Sequence, residues 1–448
     1  MKLNEKNSSV SVENIYQLDG RVPISKAIPF GLQHVLAMFV ANIAPIIIVA
    51  GVSGLSGAEL STLIQNCMLV AGLGSLVQLY PLWKIGAKLP IVMGVSFTFV
   101  TILCFVGATY GYNAVIGAVL VGGLFEGTLG LFAKYWRKII SPVVSAAVVT
   151  SIGFSLLVIG ATSFGGGSGV ADFGSAKNVL VGTFTLVCVL LFNIFAKSFW
   201  KQLSVLFGLV MGYILSICLG MVDFSSIMER GIVSLPKFLP FMPEFNIGAI
   251  ISVAVIFLVS ATETIGDTSA MTISGLDREI TERELSGSLA CDGFFSAVSS
   301  LFGCMPITSF SQNVGLIAMT KVVNRFTIMT GAVAMILCGF FPPLGAFFST
   351  LPAPVLGGCT LLMFGSIVVS GIQMIIRCGL NQRNTTIIAL SLSIGIGFTQ
   401  VPDIFNVLPQ LMREVFSANS VAVVFIVAIV LDLILPKDME IKKVTNKD

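Results

Sequence analysis

Apolar runs long enough to cross a lipid bilayer recur along this chain from Ala27 to Leu435, and no other feature restricts its fold so severely. A hydrocarbon core of about 30 Å takes about 20 apolar residues as a helix. "FGLQHVLAMFVANIAPIIIVAG" (30–51) meets that length unaided, and "VAVVFIVAIVLDLIL" (421–435) meets it with help from its flanks. Apolar residues make up 55% of the chain and charged residues 10%, with a mean hydropathy of +0.98. That balance excludes a soluble enzyme and points to an all-α membrane protein of many spans. The first run is followed by many others, so it reads as a first span and not as a cleaved signal. The nine cysteines are scattered with no CxxC pair. Cys67, Cys104, Cys188, Cys218, Cys338 and Cys359 sit within apolar runs, as small membrane residues and not as a disulfide or zinc framework.

The basic residues count the spans. Lys and Arg concentrate in cytoplasmic loops. Of the 25 here, 21 fall into eight clusters, at 2–26, 84–88, 134–138, 197–201, 278–283, 321–325, 377–383 and 437–447. Each of the seven intervals between them has length for two crossings. The expectation is fourteen spans with both termini cytoplasmic, or twelve if one hairpin only re-enters. Residues 1–26 and 437–448 are then cytoplasmic segments. Residues 27–222 and 248–436 are two seven-span halves, and 223–247, with three prolines, is an extracellular linker with an interfacial piece. "GATSFGGGSGVADFG" (160–174) reads as an external loop and "SGLDREITERELSGS" (274–288) as a charged cytoplasmic one.

The two halves resemble each other. "VSFT" (95–98) matches "TSFS" (308–311), and "SPVVS" (141–145) matches "APVLG" (353–357), with Ser96–Pro142 and Ser309–Pro354 at nearly equal spacing. An odd number of spans per copy inverts the second copy in the membrane, as in many secondary transporters, whose sites lie where spans are interrupted. Both "PIVMGVSFTFV" (90–100) and "GCMPITSFSQNVG" (303–315) mix Pro, Gly, Ser and β-branched residues, a poor recipe for a full-length helix. Broken backbone at membrane depth is tolerated only when buried in protein or lining a polar cavity.

Ionisable residues inside spans are costly and mark function by default. Glu263 and Asp267, in "ATETIGDTSA" (261–270), share one helix face, near the cytoplasmic end of their span, with no basic residue in that span. At least one must find a proton, a cation or a ligand N–H. Asp292 lies early in the next span and either caps a helix or holds the broken segment. His34, the only histidine, reads as an orienting residue more than a ligand. Glu126, in "GGLFEGTLG", reads as facing a glycine-packed interface, and Asp432 as snorkelling to the cytoplasmic surface.

"QNVGLIAMTK" (312–321) resembles the motif of the nucleobase–ascorbate transporters, the nucleobase:cation symporter 2 family, and its bacterial xanthine and uric acid permeases in particular. "GLQHVLAMF" (31–39), "GVSFTF" (94–99) and "TETIGDTSA" (262–270) resemble its first, third and eighth spans. The resemblance runs from Gly31 to Pro436. It implies a 7+7 inverted repeat with spans 3 and 10 broken by short antiparallel strands. A core of spans 1–4 and 8–11 would move against a gate of spans 5–7 and 12–14, in a homodimer. It also implies that Glu263 binds a heterocycle, that Gln312 is the second ligand, and that Phe97, Phe310 and Ser311 complete the pocket, with Ser96 tuning its choice. His34, Asp267, Asp292 and Asn313 fall on positions tied to function or proton coupling.

The chemistry agrees with that expectation. A carboxylate accepts from ring N–H groups, and a Gln amide pairs with one edge of an oxopurine as donor and acceptor. Family members that carry uracil tend to have Glu where Gln312 stands, so Gln here favours xanthine or uric acid. Active uptake of a neutral ring needs a driving ion, expected to be H+, with Asp267 or Asp292 as its carrier, alone or shared with Glu263. No resident cofactor, metal or nucleic acid partner is called for. The rivals are a permease for uracil or another nucleobase, and an anion transporter of the same architecture. An enzyme has little support, with one histidine and no nucleophile–base pair.

Overall fold

The structure, a computed structural model, describes residues 10–136, 140–197, 199–224 and 231–436. Lys2, Lys6, Arg137, Lys138, residues 225–230 of the expected linker with Arg230 among them, and the tail 437–448 lie outside the described residues.

Helices account for most of the chain. In order they are α1 (Ile24–Val52), α2 (Gly57–Leu79), α3 (Val100–Tyr110), α4 (Tyr112–Leu131), α5 (Pro142–Phe164), α6 (Ala176–Phe195) and α7 (Ser204–Cys218). After the linker come α8 (Ile247–Leu276), α9 (Glu282–Leu301), α10 (Ser311–Thr320), α11 (Arg325–Cys338), α12 (Pro342–Ser349) and α13 (Ala353–Cys378). The last three are α14 (Gln382–Thr399), α15 (Gln410–Ser417) and α16 (Ser420–Ile434). Among the described residues seven helices are long and apolar enough to cross a bilayer, α1, α2, α4, α5, α6, α8 and α13. The pair α11 and α12, bent by 78° at a short break, makes an eighth.

The chain forms two compact units. Met1–Lys134 and Ile159–Leu362 make the larger one; Tyr135–Val158 and Met363–Asp448 make the smaller. In the smaller unit α14 packs along α16. Asp432 does not snorkel there: Arg383 Nη2 lies 2.8 Å from its Oδ1, and both side chains are mostly buried. A charge with a partner one helix away has no need to reach the surface.

The larger unit holds a short antiparallel pair, β1 (Met93–Val95) and β2 (Ile307–Ser309), in the register Met93↔Ser309, Gly94↔Thr308, Val95↔Ile307. β1 leads through a 3-10 turn (Phe97–Phe99) into α3, and β2 leads into α10. Both are buried throughout. A two-stranded ribbon has an outward-facing amide at every second residue, and an unpaired one would be costly in a membrane protein interior. Side chains from three helices meet this demand. Met93 N–H donates to Ser75 Oγ at 2.8 Å, and Val95 N–H to Asn42 Oδ1 at 2.7 Å. On the other strand Ile307 N–H donates to Ser296 Oγ at 3.1 Å, and Ser309 N–H to Asp292 Oδ2 at 3.2 Å. Gly94 is the only residue type that fits mid-strand, because a Cβ there would stand 2.6 Å from Met38 Cε and 2.8 Å from Phe310 Cε2.

Several expected boundaries move. The loop expected over 274–288 shrinks to 277–281, since α8 runs on to Leu276 and α9 starts at Glu282 with a Thr281–Glu284 capping box. The loop expected from 160 starts only after Phe164. Ser and Thr do not stop helices here, because their hydroxyls donate back to carbonyls within the same helix, as Ser274 Oγ does to Ala270 O. Glu263 therefore lies midway along a 30-residue helix and not near its end, and Asp292 is central in α9 and not early in it.

Candidate functional site

Both breaks present the start of a short helix, where the first N–H groups lack intrahelical partners and the dipole is positive. Three carboxylates gather at these starts. Thr98 Oγ1 donates to Glu263 Oε2 at 2.6 Å, tying α8 to the turn that follows β1. Ser311 Oγ donates to Asp267 Oδ1 at 2.7 Å and Ser309 Oγ to Asp267 Oδ2 at 3.0 Å, so one carboxylate spans the junction of β2 and α10. Asp292 accepts from Thr264 Oγ1 at 2.5 Å, Gln78 Nε2 at 3.0 Å and the Ser309 amide at 3.2 Å.

Exposure separates the three. Asp292 is fully buried, while Glu263 and Asp267 are only partly so and line an accessible face. Gln312, also half-buried, sits in the first turn of α10, and its amide makes no hydrogen bond among the described residues. Ser311 is exposed, but its hydroxyl is committed to Asp267. Ser96 is buried and caps the 3-10 turn, accepting from Thr98 N–H at 3.3 Å. Phe97 opens that turn, Phe310 caps α10, and both rings are buried at the breaks.

Residues 25–404 match the Permease family. The xanthine permease XanQ of Escherichia coli is 34% identical over 94% of each chain, and the xanthine permease of Bacillus subtilis is 31% identical over 94% of this chain and 96% of that one. The nucleobase transporter PlUacP of Paenibacillus larvae is 34% identical over 89% and 92%. The chain belongs to this family of nucleobase:cation symporters. The permease is thus a multi-pass membrane transporter and not an enzyme. Two solved structures share its fold. The transmembrane domain of the cyanobacterial bicarbonate transporter BicA superposes with a TM-score of 0.59 at 15% identity, covering 90% of the permease and 97% of that chain. Murine Slc26a9, an anion transporter, gives 0.60 at 12% identity, covering 92% and 68%.

His34 and Asn313 bond to each other rather than to the half-exposed acids. Both are buried, and Asn313 Nδ2 stands 3.1 Å from His34 O and 3.1 Å from His34 Nδ1. They clamp α10 of the permease onto α1. The sequence reading missed Asn42, Ser75, Gln78, Thr98, Thr264 and Ser296 as parts of the site. Five of them lie outside the two interrupted stretches, and Thr98 stood inside a quoted motif without an assigned partner. The signal that could have found most of them is a polar side chain facing inward in an apolar helix, as Asn42, Ser75 and Gln78 are.

Proposed function

We propose that the permease takes up an oxopurine, xanthine or uric acid or both, across the cell membrane in symport with protons. The observation that carries this is a half-buried carboxylate, Glu263, engaged by its neighbours through Oε2, in the same compact group as the uncommitted Gln312 amide at a doubly broken membrane core. Glu263 accepts from ring N–H groups, and Gln312 reads one edge of the ring as donor and acceptor. Phe97 and Phe310 supply apolar faces for a planar ring, Ser311 supplies the α10 amide, and Ser96 shapes the pocket beside Phe97. Two relatives named as xanthine permeases support the substrate class.

The helices support fourteen spans. The seven long ones, the bent α11–α12 pair, the strand-broken α3 and α10, and the less apolar or shorter α7, α9, α14 and α16 make that number. Spans 3 and 10 are then the broken ones, the second half inverts the first, and both termini are cytoplasmic. A core of spans 1–4 and 8–11 works against a gate, in a homodimer. No resident cofactor is needed. The coupling proton belongs to Asp267 or Asp292, or to a network they share with Glu263, and the His34–Asn313 clamp holds α10 in register. Anion transport is disfavoured because three carboxylates and, among the described residues, no Lys or Arg converge on the breaks.

The test is uptake of labelled xanthine into vesicles. The expected outcome is saturable accumulation that collapses with an uncoupler and is competed by uric acid more than by uracil. Uptake indifferent to a pH gradient, or competed only by anions, would overturn it.

A further inference from the structure

Among the described residues, Glu126 is the one fully buried acid in the larger unit's helices that the site above leaves unused. It lies in α4 and is 1% exposed, and neither carboxyl oxygen has a hydrogen-bond partner among the described residues. A buried carboxyl in that state is costly, and ionised it would be costlier still.

The packing around it is tight. A Cβ on Gly123 would stand 2.6 Å from Ala297 N and 2.7 Å from Gly293 O, and one on Gly293 would stand 2.0 Å from Gly127 N. Backbone meets backbone along the seam between α4 and α9, with Glu126 between those glycines in sequence. On its other side α4 runs parallel to α8: Gly117 abuts Glu244, and Gly122 abuts Val253 and Phe257. One turn beyond Gly122 is Glu126, and one turn beyond Phe257 is Ser260. Ser260 Oγ is itself fully buried without a partner among the described residues. Two orphaned polar groups thus reach the same level of adjoining helices.

Of the helices packed on α4, α9 brings Asp292, beside the Gly293 that abuts Gly127, and carries Glu282, Arg283 and Glu284 at its start; α8 brings Glu263 and Asp267, and α3 brings no carboxylate or base. Asp292, Glu263 and Asp267 belong to the group that holds the broken segments. A proton gained or lost there changes the field at Glu126 directly.

We propose that Glu126 is a second proton site of the transport cycle, and that during the cycle it takes as its hydrogen-bond partner the Ser260 hydroxyl, which is uncommitted in this state. The step is simple: the Glu126 carboxylic acid releases H+ to become a carboxylate and takes H+ back, its charge following that of Asp292 and Glu263. A fixed neutral acid has no need of a carboxyl rather than an amide. A coupled one does. This rests on the transport reading above, and the experiment is chosen to keep the two apart.

Infrared difference spectra of the full-length protein in lipid, taken without substrate as pH is raised, report the carbonyl stretch of any carboxylic acid that loses its proton. Wild type is expected to show a component absent from Glu126→Gln and displaced in Ser260→Ala. Identical spectra in wild type and Glu126→Gln overturn the proposal whatever the substrate proves to be. In proteoliposomes, Glu126→Gln is expected to lose accumulation driven by a pH gradient by about 5- to 150-fold, the range of typical coupling between two sites, while substrate exchange persists. Glu126→Asp, which keeps an acid, is expected to restore part of it. If Glu126→Gln does not fold, the Ser260→Ala spectrum decides: an undisplaced band overturns the proposal. Failure of the xanthine assignment would appear separately, as wild type that exchanges no xanthine.

Discussion

Asp292→Asn tests whether Asp292 is chiefly a scaffold for the broken span. The substitution keeps volume and shape but replaces one acceptor oxygen with an NH2 donor. With the NH2 at the Oδ2 position it faces the Ser309 amide, 3.2 Å away, which can only donate. Thr264, at 2.5 Å on the same oxygen, can turn to accept; a backbone N–H cannot. With the NH2 at the Oδ1 position it faces Gln78 Nε2 at 3.0 Å. Gln78 cannot flip in response, because its Oε1 accepts the Ala87 amide at 3.0 Å and its Nε2 also donates to Ser288 O at 3.2 Å. Either rotamer strands a buried donor, at about 1–3 kcal/mol, and gives up a charge-assisted bond worth about 1.5–3 kcal/mol. A total of about 2.5–6 kcal/mol follows, enough to lower the unfolding temperature by on the order of 5 °C. Thermal unfolding of the purified protein and hydrogen–deuterium exchange over 305–312 measure it. Both are expected to show loss, with exchange at β2 accelerated before global unfolding. A variant as stable as wild type, with unchanged protection at β2, would refute the scaffold role and leave Asp292 free to act purely in coupling.

Glu263→Gln should abolish xanthine uptake with normal membrane insertion, since a lost charge-assisted bond is worth roughly 10- to 150-fold in affinity; wild-type affinity would remove Glu263 from the site. Gln312→Glu replaces a donor and acceptor with an acceptor only, so competition by xanthine and uric acid should weaken while insertion is unaffected; an unchanged competition profile for xanthine, uric acid and uracil argues that position 312 does not touch the ring. Asn324→Ala should loosen the amino-terminal segment, because Asn324 Nδ2 donates to the carbonyls of Asn14, Gln17 and Gly20 at 3.0–3.1 Å while its Oδ1 caps α11 through Thr327 N–H at 2.9 Å. The cap alone is worth about 1 kcal/mol. Limited proteolysis should cut before Arg21 faster than in wild type, and an unaltered rate would deny that role.

The sequence made the solvent, the interrupted stretches and the acids legible, because each is a local contrast: oil against charge, glycine and proline against leucine. Helix ends were less legible. In water a run such as "TSAMTISG" (268–275) ends a helix as readily as it continues one, but in α8 Thr268 donates to Thr264 O at 2.6 Å and Ser274 to Ala270 O at 2.6 Å. The helix closes over its own hydroxyls and runs on. The side chains that fix the strands were illegible for another reason. Asn42 meets Val95 from 53 residues away and Gln78 meets Asp292 from 214 away, and nothing local distinguishes a polar residue aimed at a strand from one aimed at a neighbouring helix.

The same bonds connect shape to charge in the proposed cycle. Each acid at the breaks accepts hydrogen bonds from the segment that forms the site: Glu263 from Thr98, Asp267 from Ser309 and Ser311, Asp292 from the Ser309 amide. Hydrogen bonds to a carboxylate are roughly twice as strong as those to a neutral acid. Protonating Asp267 would therefore weaken two bonds that fix the entry to α10, one residue before Gln312. A ring held by Gln312 fixes α10 in place of those weakened bonds, so protonating Asp267 costs less when substrate is bound. Substrate and proton then favour each other through the position of one short helix, with no direct contact between them, as symport requires. By linkage the effect is mutual: whatever proton affinity substrate adds to Asp267, protonation adds in substrate affinity. If Asp267 is the carrier, Asp267→Asn, which can accept from only one of Ser309 and Ser311, should therefore flatten the dependence of xanthine affinity on pH. A variant with the wild-type pH dependence would place the proton on Asp292 or Glu126 instead.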